Sequence, residues 1–268
     1  MKKILSSMFL ALSLIAGQAQ AADDETIVIA TNPTWPPMQF IDMDKNIIGF
    51  EVDLLNAICD AANLKCTWKN AAWEGIFGEI ESHNADVIAS CVTITEARQK
   101  KYLFSEPVYN MYQALVVPTD SPIAKPEDLK GGKRVGIQIG TTAIEALKKI
   151  DADYEIVTYD EVGLALEDLA NGRLDAVMCD DPVAKFYASQ KEGYKGKMKI
   201  AFSSTDPEVF GFLVLKDNTA LMDKLNAGFK AIKENGKEKE ILTKWFGEFY
   251  FLLVIKIEKA ASFDAAFF

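Results

Sequence analysis

Short apolar segments alternate with helix-like segments along this chain, and the series runs through twice. In such an alternation each helix can return the chain to the end of the sheet at which the previous strand began, so successive strands run parallel. The strand candidates are residues 27–30, 66–69 and 86–89 in the first half, then 134–137, 154–158 and 175–178 in the second. The helix candidates are residues 50–62, 73–82 and 95–101, then 141–150, 162–170 and 182–190. The sequence therefore predicts an α/β fold of two lobes, each with a mainly parallel sheet flanked by helices.

The break between the two halves is rich in proline, which interrupts regular structure. These prolines are Pro107, Pro118, Pro122 and Pro126. Beyond the second half come strand candidates 199–202 and 211–215 and helix candidates 220–234 and 238–246, so the chain can return to the first lobe. We predict that residues 22–107 and 211–250 form lobe 1, that residues 113–205 form lobe 2, and that residues 108–112 and 206–210 are hinge segments.

The first 21 residues have the composition of a secretory signal peptide. Lys2 and Lys3 precede an apolar run, and Ala19 and Ala21 supply the small residues of a cleavage site. We expect export, with cleavage after Ala21. The net charge is −10 with no basic run, which argues against nucleic acid or an anionic membrane as partner.

The four cysteines of an exported chain raise the question of disulfides. Cys59 and Cys66 are the natural pair, because the interval between them can end a helix and turn into a strand. Cys91 and Cys179 lie in apolar strand-end segments, where either two independent buried thiols or an approach of the two on lobe closure is open. With one histidine, His83, and no Cys-x-x-Cys pair, neither a metal nor another cofactor is expected.

Arg98 has an unusual place at a helix start. Thr95 is a good N-cap, yet Arg98 stands three residues later, where a capping box would have Glu or Gln. A cation there opposes the helix dipole, and the cost is removed if the guanidinium and nearby N–H groups hold an anion such as a carboxylate. The alternative is a surface arginine screened by water.

Asp180 is the complementary candidate in the second half. In Asp180-Asp181-Pro182 the proline suits the first helical position, which makes Asp181 the N-cap and leaves Asp180 at the strand end. A carboxylate facing a closing cleft requires a cation, and a ligand ammonium is the simplest one. A solvated aspartate is the alternative.

Two further features complete the pattern. Gly140-Thr141-Thr142 opens a helix with N–H groups that can serve an anion, and Trp35 and Trp73 lie in loops at strand ends, as pocket walls or as core. An anion site, a lone carboxylate and two aromatic walls together describe the binding of an L-amino acid.

Several motifs, in this order, resemble the polar amino-acid binding proteins of ABC importers, solute-binding protein family 3. They are Gly49-Phe-Glu-Val-Asp53, Ser90-Cys-Val-Thr-Ile-Thr-Glu-Ala-Arg98, Gly140-Thr-Thr142, Asp175-Ala-Val-Met-Cys-Asp180 and Lys244-Trp-Phe-Gly247. The resemblance covers roughly residues 26–247 and implies a type II periplasmic binding fold with two hinge crossovers. The family pattern ends at Gly247, which leaves residues 251–268 as an atypical apolar tail: an added strand or helix, a disordered tail or an altered reading frame.

The resemblance also implies roles for particular residues. Arg98 would clamp the α-carboxylate of the ligand together with the backbone N–H groups of Thr93 and Thr142. Asp180 would hold the α-ammonium with the Thr93 hydroxyl and the Cys91 carbonyl.

The pocket for the ligand side chain is implied in the same way. Trp35 and Trp73 match its walls, and Ser90 and Gln138 line it. Asn32 stands where some members for basic amino acids carry an acid, which puts cationic specificity in doubt. Glu74 or the paired indoles of Trp35 and Trp73 are the alternative partners for a cationic side chain.

The expected function is that of a monomeric periplasmic receptor, without catalytic residues. It would capture a polar or basic L-amino acid and deliver it to an ABC permease in the inner membrane. An enzyme similar to cyclohexadienyl or arogenate dehydratases, with Glu74 as general acid, is one alternative. A sensory or chemoreceptor ligand-binding protein with partners supplied in trans is another.

Overall fold

The structure is a computed structural model and describes residues 26–247. The predicted signal peptide and the tail from residue 251 lie outside the described residues. The strands are β1 (Thr26–Thr31), β2 (Thr34–Trp35), β3 (Gln39–Ile41), β4 (Ile47–Ile48), β5 (Lys65–Asn70), β6 (Val87–Ile88), β7 (Tyr102–Phe104), β8 (Tyr109–Met111), β9 (Gln113–Pro118), β10 (Lys133–Gln138), β11 (Tyr154–Tyr159), β12 (Ala176–Asp180), β13 (Met198–Ser203), β14 (Glu208–Phe210) and β15 (Leu213–Leu215). The helices are α1 (Phe50–Ala61), α2 (Ile76–Glu81), α3 (Glu96–Lys101), α4 (Ala143–Lys148), α5 (Val162–Ala170), α6 (Asp181–Ser189), α7 (Thr219–Glu234) and α8 (Lys237–Phe246), with 3-10 turns at Trp73–Gly75 and Pro126–Asp128.

Two five-stranded sheets form the centres of the two lobes. Their strand orders are β5-β1-β6-β15-β7 in lobe 1 and β11-β10-β12-β9-β13 in lobe 2. In lobe 1 only β15 runs against the other four strands, since it pairs antiparallel with both β6 and β7. In lobe 2 the reversed strand is β9, which pairs antiparallel with β12 and β13. The predicted two-lobe fold with mainly parallel sheets is therefore confirmed.

The reversed strand of each sheet is the one that follows a crossing between the lobes. The crossings contain β8 and β14, which pair antiparallel, with Tyr109 opposite Phe210 and Met111 opposite Glu208. The chain leaves β8 and enters lobe 2 as β9, and it leaves β14 and enters lobe 1 as β15. A strand that enters from the side of the cleft must run against strands that end there, which accounts for both reversals.

The start of α6 differs from the prediction. The helix begins at Asp181 with Asp180 as its N-cap residue, so the expectation that Asp181 is the N-cap was wrong by one position. The Asp181 carboxylate instead accepts the backbone N–H of Tyr112 at 2.9 Å and the Lys185 ammonium at 2.5 Å. These partners satisfy the carboxylate outside the first helical turn, so the helix can begin earlier.

Lobe 1 is stabilised by the packing of α7 on α1 and by a disulfide bond. The predicted pair Cys59 and Cys66 is bonded and links the end of α1 to β5. Within residues 26–247 no helix has both the length and the apolar character required to cross a membrane.

Gly228 lies where α7 approaches α1 most closely, which gives a test of this packing. A Cβ atom there would lie 2.4 Å from the Ile58 carbonyl oxygen, a backbone atom that cannot move without shifting a helix. We expect Gly228→Ala to lower the free energy of unfolding by about 1–3 kcal/mol in urea denaturation, because overpacking strains the interface.

Gly78 in α2 is the matched control, because it is exposed and a Cβ there meets nothing within 4 Å. Gly78→Ala should raise the free energy of unfolding by about 0.5–1 kcal/mol through the lower backbone entropy of alanine in the unfolded chain. Equal effects of the two substitutions would contradict the packing of α7 on α1.

Candidate functional site

A cavity between the two lobes collects residues from the carboxyl ends of both sheets. The space there that atoms do not fill measures about 350 Å³, including the part open to solvent. Its lining residues are Asn32, Trp35, Gln39, Trp73, Ser90, Cys91, Thr93, Arg98, Gln138, Thr141, Thr142 and Asp180. All ten ligand-binding candidates from the sequence lie in this wall, and Gln39 and Thr141 join them. The position follows from the fold, since loops and helix starts of parallel sheets meet beyond the ends of the strands.

Arg98 is held at the cavity by contacts to both lobes. Thr95 caps α3 by accepting the backbone N–H of Arg98 at 3.3 Å, as the sequence predicted. The guanidinium donates from Nη1 to the Thr93 carbonyl oxygen at 3.0 Å and from Nη2 to the Gly140 carbonyl oxygen at 3.4 Å. Its carbon lies 5.8 Å from the Trp73 ring centre and 5.7 Å from that of Phe77. Burial lowers the pKa of Arg98, but an arginine remains charged at any physiological pH.

Asp180 is buried at the end of β12, with 7% of its surface exposed. Its carboxylate accepts the indole N–H of Trp35 at 3.1 Å and the Gln113 amide at 2.8 Å. Burial is the main cause that raises the pKa of Asp180 to about 7, and Glu208 adds to the rise. Both donors are uncharged, so the site favours a cation that would stabilise the ionised form.

Glu208 is a polar residue at the cavity that the sequence did not indicate. It belongs to β14, in the second crossing between the lobes, and its carboxylate accepts the Thr93 hydroxyl at 3.2 Å and the Thr142 hydroxyl at 2.5 Å. The Thr93 hydroxyl, expected to meet a ligand ammonium, therefore donates to Glu208. The one sequence signal for Glu208 is that an acid lies within the predicted hinge segment 206–210. Its partners Thr93 and Thr142 are 115 and 66 residues away, so no local pattern indicates these contacts.

The loop at Cys91 is held from beneath by Glu51. Cys91 adopts a φ of 49°, which is uncommon for a side chain other than glycine. The fully buried Glu51 carboxyl group accepts the Cys91 backbone N–H at 3.0 and 3.2 Å. Burial raises the pKa of Glu51 to about 8, so the group is mainly protonated at neutral pH. Glu51 thus fixes the loop that carries three of the lining residues.

The two remaining cysteines are reduced and buried in this structure. The Cys91 thiol donates to the Gln39 side-chain oxygen at 3.4 Å, and burial raises the pKa of both Cys91 and Cys179. Both groups are thiols rather than thiolates at neutral pH, which makes them poor nucleophiles.

The uncharged lining residues form a connected group. Ser90 Oγ accepts the backbone N–H of Asn32 at 3.0 Å and the Gln39 amide at 3.4 Å. The Gln138 amide of lobe 2 reaches across the cleft to the Asn32 oxygen at 3.5 Å. We call Asn32, Gln39, Ser90 and Gln138 the amide floor.

The positions of the acidic and metal-ligating side chains bear on two alternatives, an enzyme with Glu74 as general acid and a metal site. Glu74, the general acid considered for an enzyme, is exposed on the 3-10 turn and is absent from the cavity wall. Within residues 26–247 no group of three or more His, Cys, Asp or Glu side chains could hold a metal ion.

Comparison with known proteins gives the relationship. The family model described as bacterial extracellular solute-binding proteins, family 3, matches residues 27–248. The chain is 33% identical over 238 residues to the arginine-binding periplasmic protein of Mannheimia haemolytica, covering 88% of this chain and 97% of that protein. It is 34% identical over 254 residues to the putative ABC transporter arginine-binding protein 2 of Escherichia coli (strain K12), covering 92% and 99%.

Solved structures agree with these relatives. An ancestral arginine-binding protein bound to glutamine matches with a TM-score of 0.78 and 35% identity, covering 83% of this chain and 98% of that chain. The curated relatives are binding proteins rather than enzymes, and this chain is likewise a binding protein. The chain belongs to the bacterial extracellular solute-binding proteins of family 3.

Proposed function

We propose that this protein captures a polar or basic L-amino acid between its lobes in the periplasm and delivers it to an ABC permease in the inner membrane. One observation carries the proposal: Arg98 of lobe 1 and Asp180 of lobe 2 line the same cavity. The similarity to periplasmic arginine-binding proteins and to a protein of an ABC transporter supports the ligand class, the compartment and the partner.

The charges of the cavity suit the two ends of an amino-acid backbone. The α-carboxylate would bind the Arg98 guanidinium, whose neighbours Thr93 and Thr142 supply backbone N–H groups from the two lobes. The α-ammonium would bind Asp180, with the Glu208 carboxylate close by. Because the two charged partners belong to different lobes, a zwitterion would stabilise the closed arrangement of both.

Capture is favoured over turnover by the chemistry of the wall. Among the described lining residues Asp180 is the only carboxylate, and it is the partner required by the ammonium. The nearby Glu208 carboxylate already accepts the Thr93 and Thr142 hydroxyls, so the described lining residues leave no free acid–base pair for general acid–base catalysis. A monomer suffices, since one chain supplies both halves of the cavity.

The carboxylate clamp is tested by Arg98→Ala. Loss of a charged hydrogen-bonding partner should weaken amino-acid binding by about 100-fold or more, because a buried carboxylate would remain unpaired. Calorimetric titration of the wild-type protein against the twenty amino acids, ornithine and citrulline identifies the ligand first, and circular dichroism establishes that the variant is folded.

Lys100→Ala is the matched control, because Lys100 lies on the same helix and is exposed. It should bind with wild-type affinity. Wild-type affinity in folded Arg98→Ala would overturn the clamp, and binding of no amino acid by the wild-type protein would overturn the proposed function.

The pKa of Asp180 gives a pH-dependent prediction for binding. In the unliganded protein this pKa is about 7, and a ligand ammonium would lower it by favouring the carboxylate. Binding at pH 6 should therefore release a proton, and the release should vanish by pH 8.5. Calorimetry in buffers of different ionisation enthalpy measures it, and Asp180→Asn should abolish the release.

The same shift affects stability, with a definite sign. The folded pKa of Asp180 is raised above its unfolded value near 4, so the stability of the unliganded protein is lost as pH rises from about 4 to 7. Asp180→Asn removes this pH-dependent loss. The free energy of unfolding of the variant, relative to that of the wild type, should therefore increase as pH rises from about 4 to 7. A constant difference would contradict the raised pKa.

Glu208→Gln tests how much Glu208 contributes to the raised pKa of Asp180. Since Glu208 raises the pKa of Asp180, the substitution should move the proton release to lower pH. Asp206→Asn, an exposed position two residues earlier, should leave the release unchanged.

A further inference from the structure

The amide floor carries no formal charge and makes no hydrogen bond to Arg98 or Asp180. Its members bond to one another and to the backbone of both lobes. Once Arg98 and Asp180 hold the α-groups, the cavity wall that remains for a ligand side chain has the two rings of Trp35 and Trp73, and its polar part is mainly the amides and hydroxyl of this floor. The donors and acceptors of this floor that have no partner determine which hydrogen-bonding groups a ligand side chain needs there.

The orientation of the Asn32 amide is fixed by its neighbours. Its nitrogen donates to the Ala71 carbonyl oxygen at 3.2 Å, and a carbonyl can only accept. Its oxygen accepts the Thr34 hydroxyl at 2.7 Å and the Gln138 amide at 3.5 Å. Both lone pairs are then used, and the group that remains available on Asn32 is an N–H.

Gln138 is fixed in the same way. Its oxygen accepts the backbone N–H of Val162 at 3.2 Å, and a backbone N–H can only donate. Its nitrogen gives one hydrogen to Asn32 and retains the second. Asn32 and Gln138, one from each lobe, therefore both keep an unused N–H.

Gln39 and Ser90 add to this excess of donors. Ser90 Oγ already accepts two hydrogen bonds and keeps its O–H, while the Gln39 nitrogen uses one of two hydrogens. The Gln39 oxygen accepts the Cys91 thiol. Among the hydrogen bonds of the described residues, the amide floor is thus left chiefly with N–H and O–H groups.

We propose that the ligand is an amino acid whose side chain is uncharged and bears a carbonyl acceptor, as in a carboxamide or a urea. This inference rests on the proposed function and narrows its ligand class to glutamine, asparagine or citrulline. A carbonyl meets the unused donors of the amide floor, while the N–H groups of the same side chain meet the remaining oxygen lone pairs.

A cationic side chain fits the same wall poorly. A guanidinium has five donors and no acceptor, so it would face other donors while carrying a charge. Burying a charge without a partner costs far more than burying a paired polar group. Asp180 is assigned to the α-ammonium, and Glu51 lies beneath the loop with its oxygens on the Cys91 N–H. The Trp73 ring already has a cation beside it, since its centre lies 5.8 Å from the guanidinium carbon of Arg98.

A carboxylate side chain has acceptors but lacks a cation. Arg98 is the only cationic residue among the described lining residues, and it is assigned to the α-carboxylate. Asp180 and Glu208 would also repel a second carboxylate. Glutamine should therefore bind better than glutamate.

Matched ligand pairs test the proposal in the wild-type protein. Citrulline and arginine have the same length and differ in the urea oxygen that replaces a guanidinium nitrogen, and glutamine and glutamate differ in the same restricted way. By calorimetric titration we expect the tightest ligand to be glutamine, asparagine or citrulline, and arginine and glutamate each to bind at least 10-fold more weakly than it. Arginine or glutamate binding as tightly as the tightest of these uncharged ligands would overturn the inference and leave the proposed function standing.

Asn32→Asp tests the residue itself. The substitution removes the Asn32 N–H groups and places a carboxylate in the wall. The variant should therefore bind arginine more tightly and citrulline more weakly than the wild type does, which changes the ratio of the two affinities by at least 10-fold. Asn70→Asp makes the same chemical change at an exposed position of β5 and should leave the ratio unchanged.

The outcomes are distinguishable. An unchanged ratio in folded Asn32→Asp would overturn the role of Asn32 in specificity. If that variant does not fold, the wild-type ligand pairs still decide the ligand class. Failure of every amino acid to bind would overturn the proposed function itself.

Discussion

The antiparallel pairing of β8 with β14 is the contact on which the arrangement of the whole molecule depends. It brings the two crossings of the chain together, so the two lobes share one narrow connection and face each other across a single cleft. The reversed strands β9 and β15 follow from it, because each begins where a crossing ends. The same pairing places Glu208 beside the Thr93 and Thr142 hydroxyls, one from each lobe. The second crossing is therefore both a covalent connection between the lobes and a source of hydrogen-bond partners for the cavity wall.

The charges of the cavity are poorly compensated by the protein alone. Arg98 donates to two backbone carbonyls and lies against two rings, while Asp180 accepts from an indole and an amide. Neutral partners satisfy the hydrogen-bonding geometry of a buried charge but offset only part of its desolvation. That residual cost explains why the pKa of Asp180 is raised, and it is the energy that a zwitterionic ligand would recover on binding. Under the proposed function, binding of a ligand carboxylate would likewise offset the unfavourable position of Arg98 at a helix start.

The fold and much of the cavity wall could be predicted from local sequence. The strand and helix candidates agree closely with the observed elements because apolar periodicity and helix caps are local signals. Thr95, Arg98 and Asp180 stood out since each breaks or completes a rule for a helix end, and Cys59 and Cys66 because only a short turn separates them. The prediction that Asp181 is the N-cap was wrong because its carboxylate accepts the backbone N–H of Tyr112, which belongs to a distant segment of the chain. A rule based on neighbouring residues does not include such a partner.

By itself, the sequence determined the two-lobe α/β plan, the candidates for a carboxylate clamp and an ammonium partner, and the family resemblance. Only the tertiary structure decided the roles of Glu51, Gln113 and Glu208, and the directions in which the amides of Asn32 and Gln138 donate. Most contacts of these residues join positions 24 to 115 residues apart, and the residues are single polar side chains without periodicity. A pattern along the chain reports which face of an element is buried, whereas hydrogen-bond direction depends on which backbone groups the fold brings opposite each side chain.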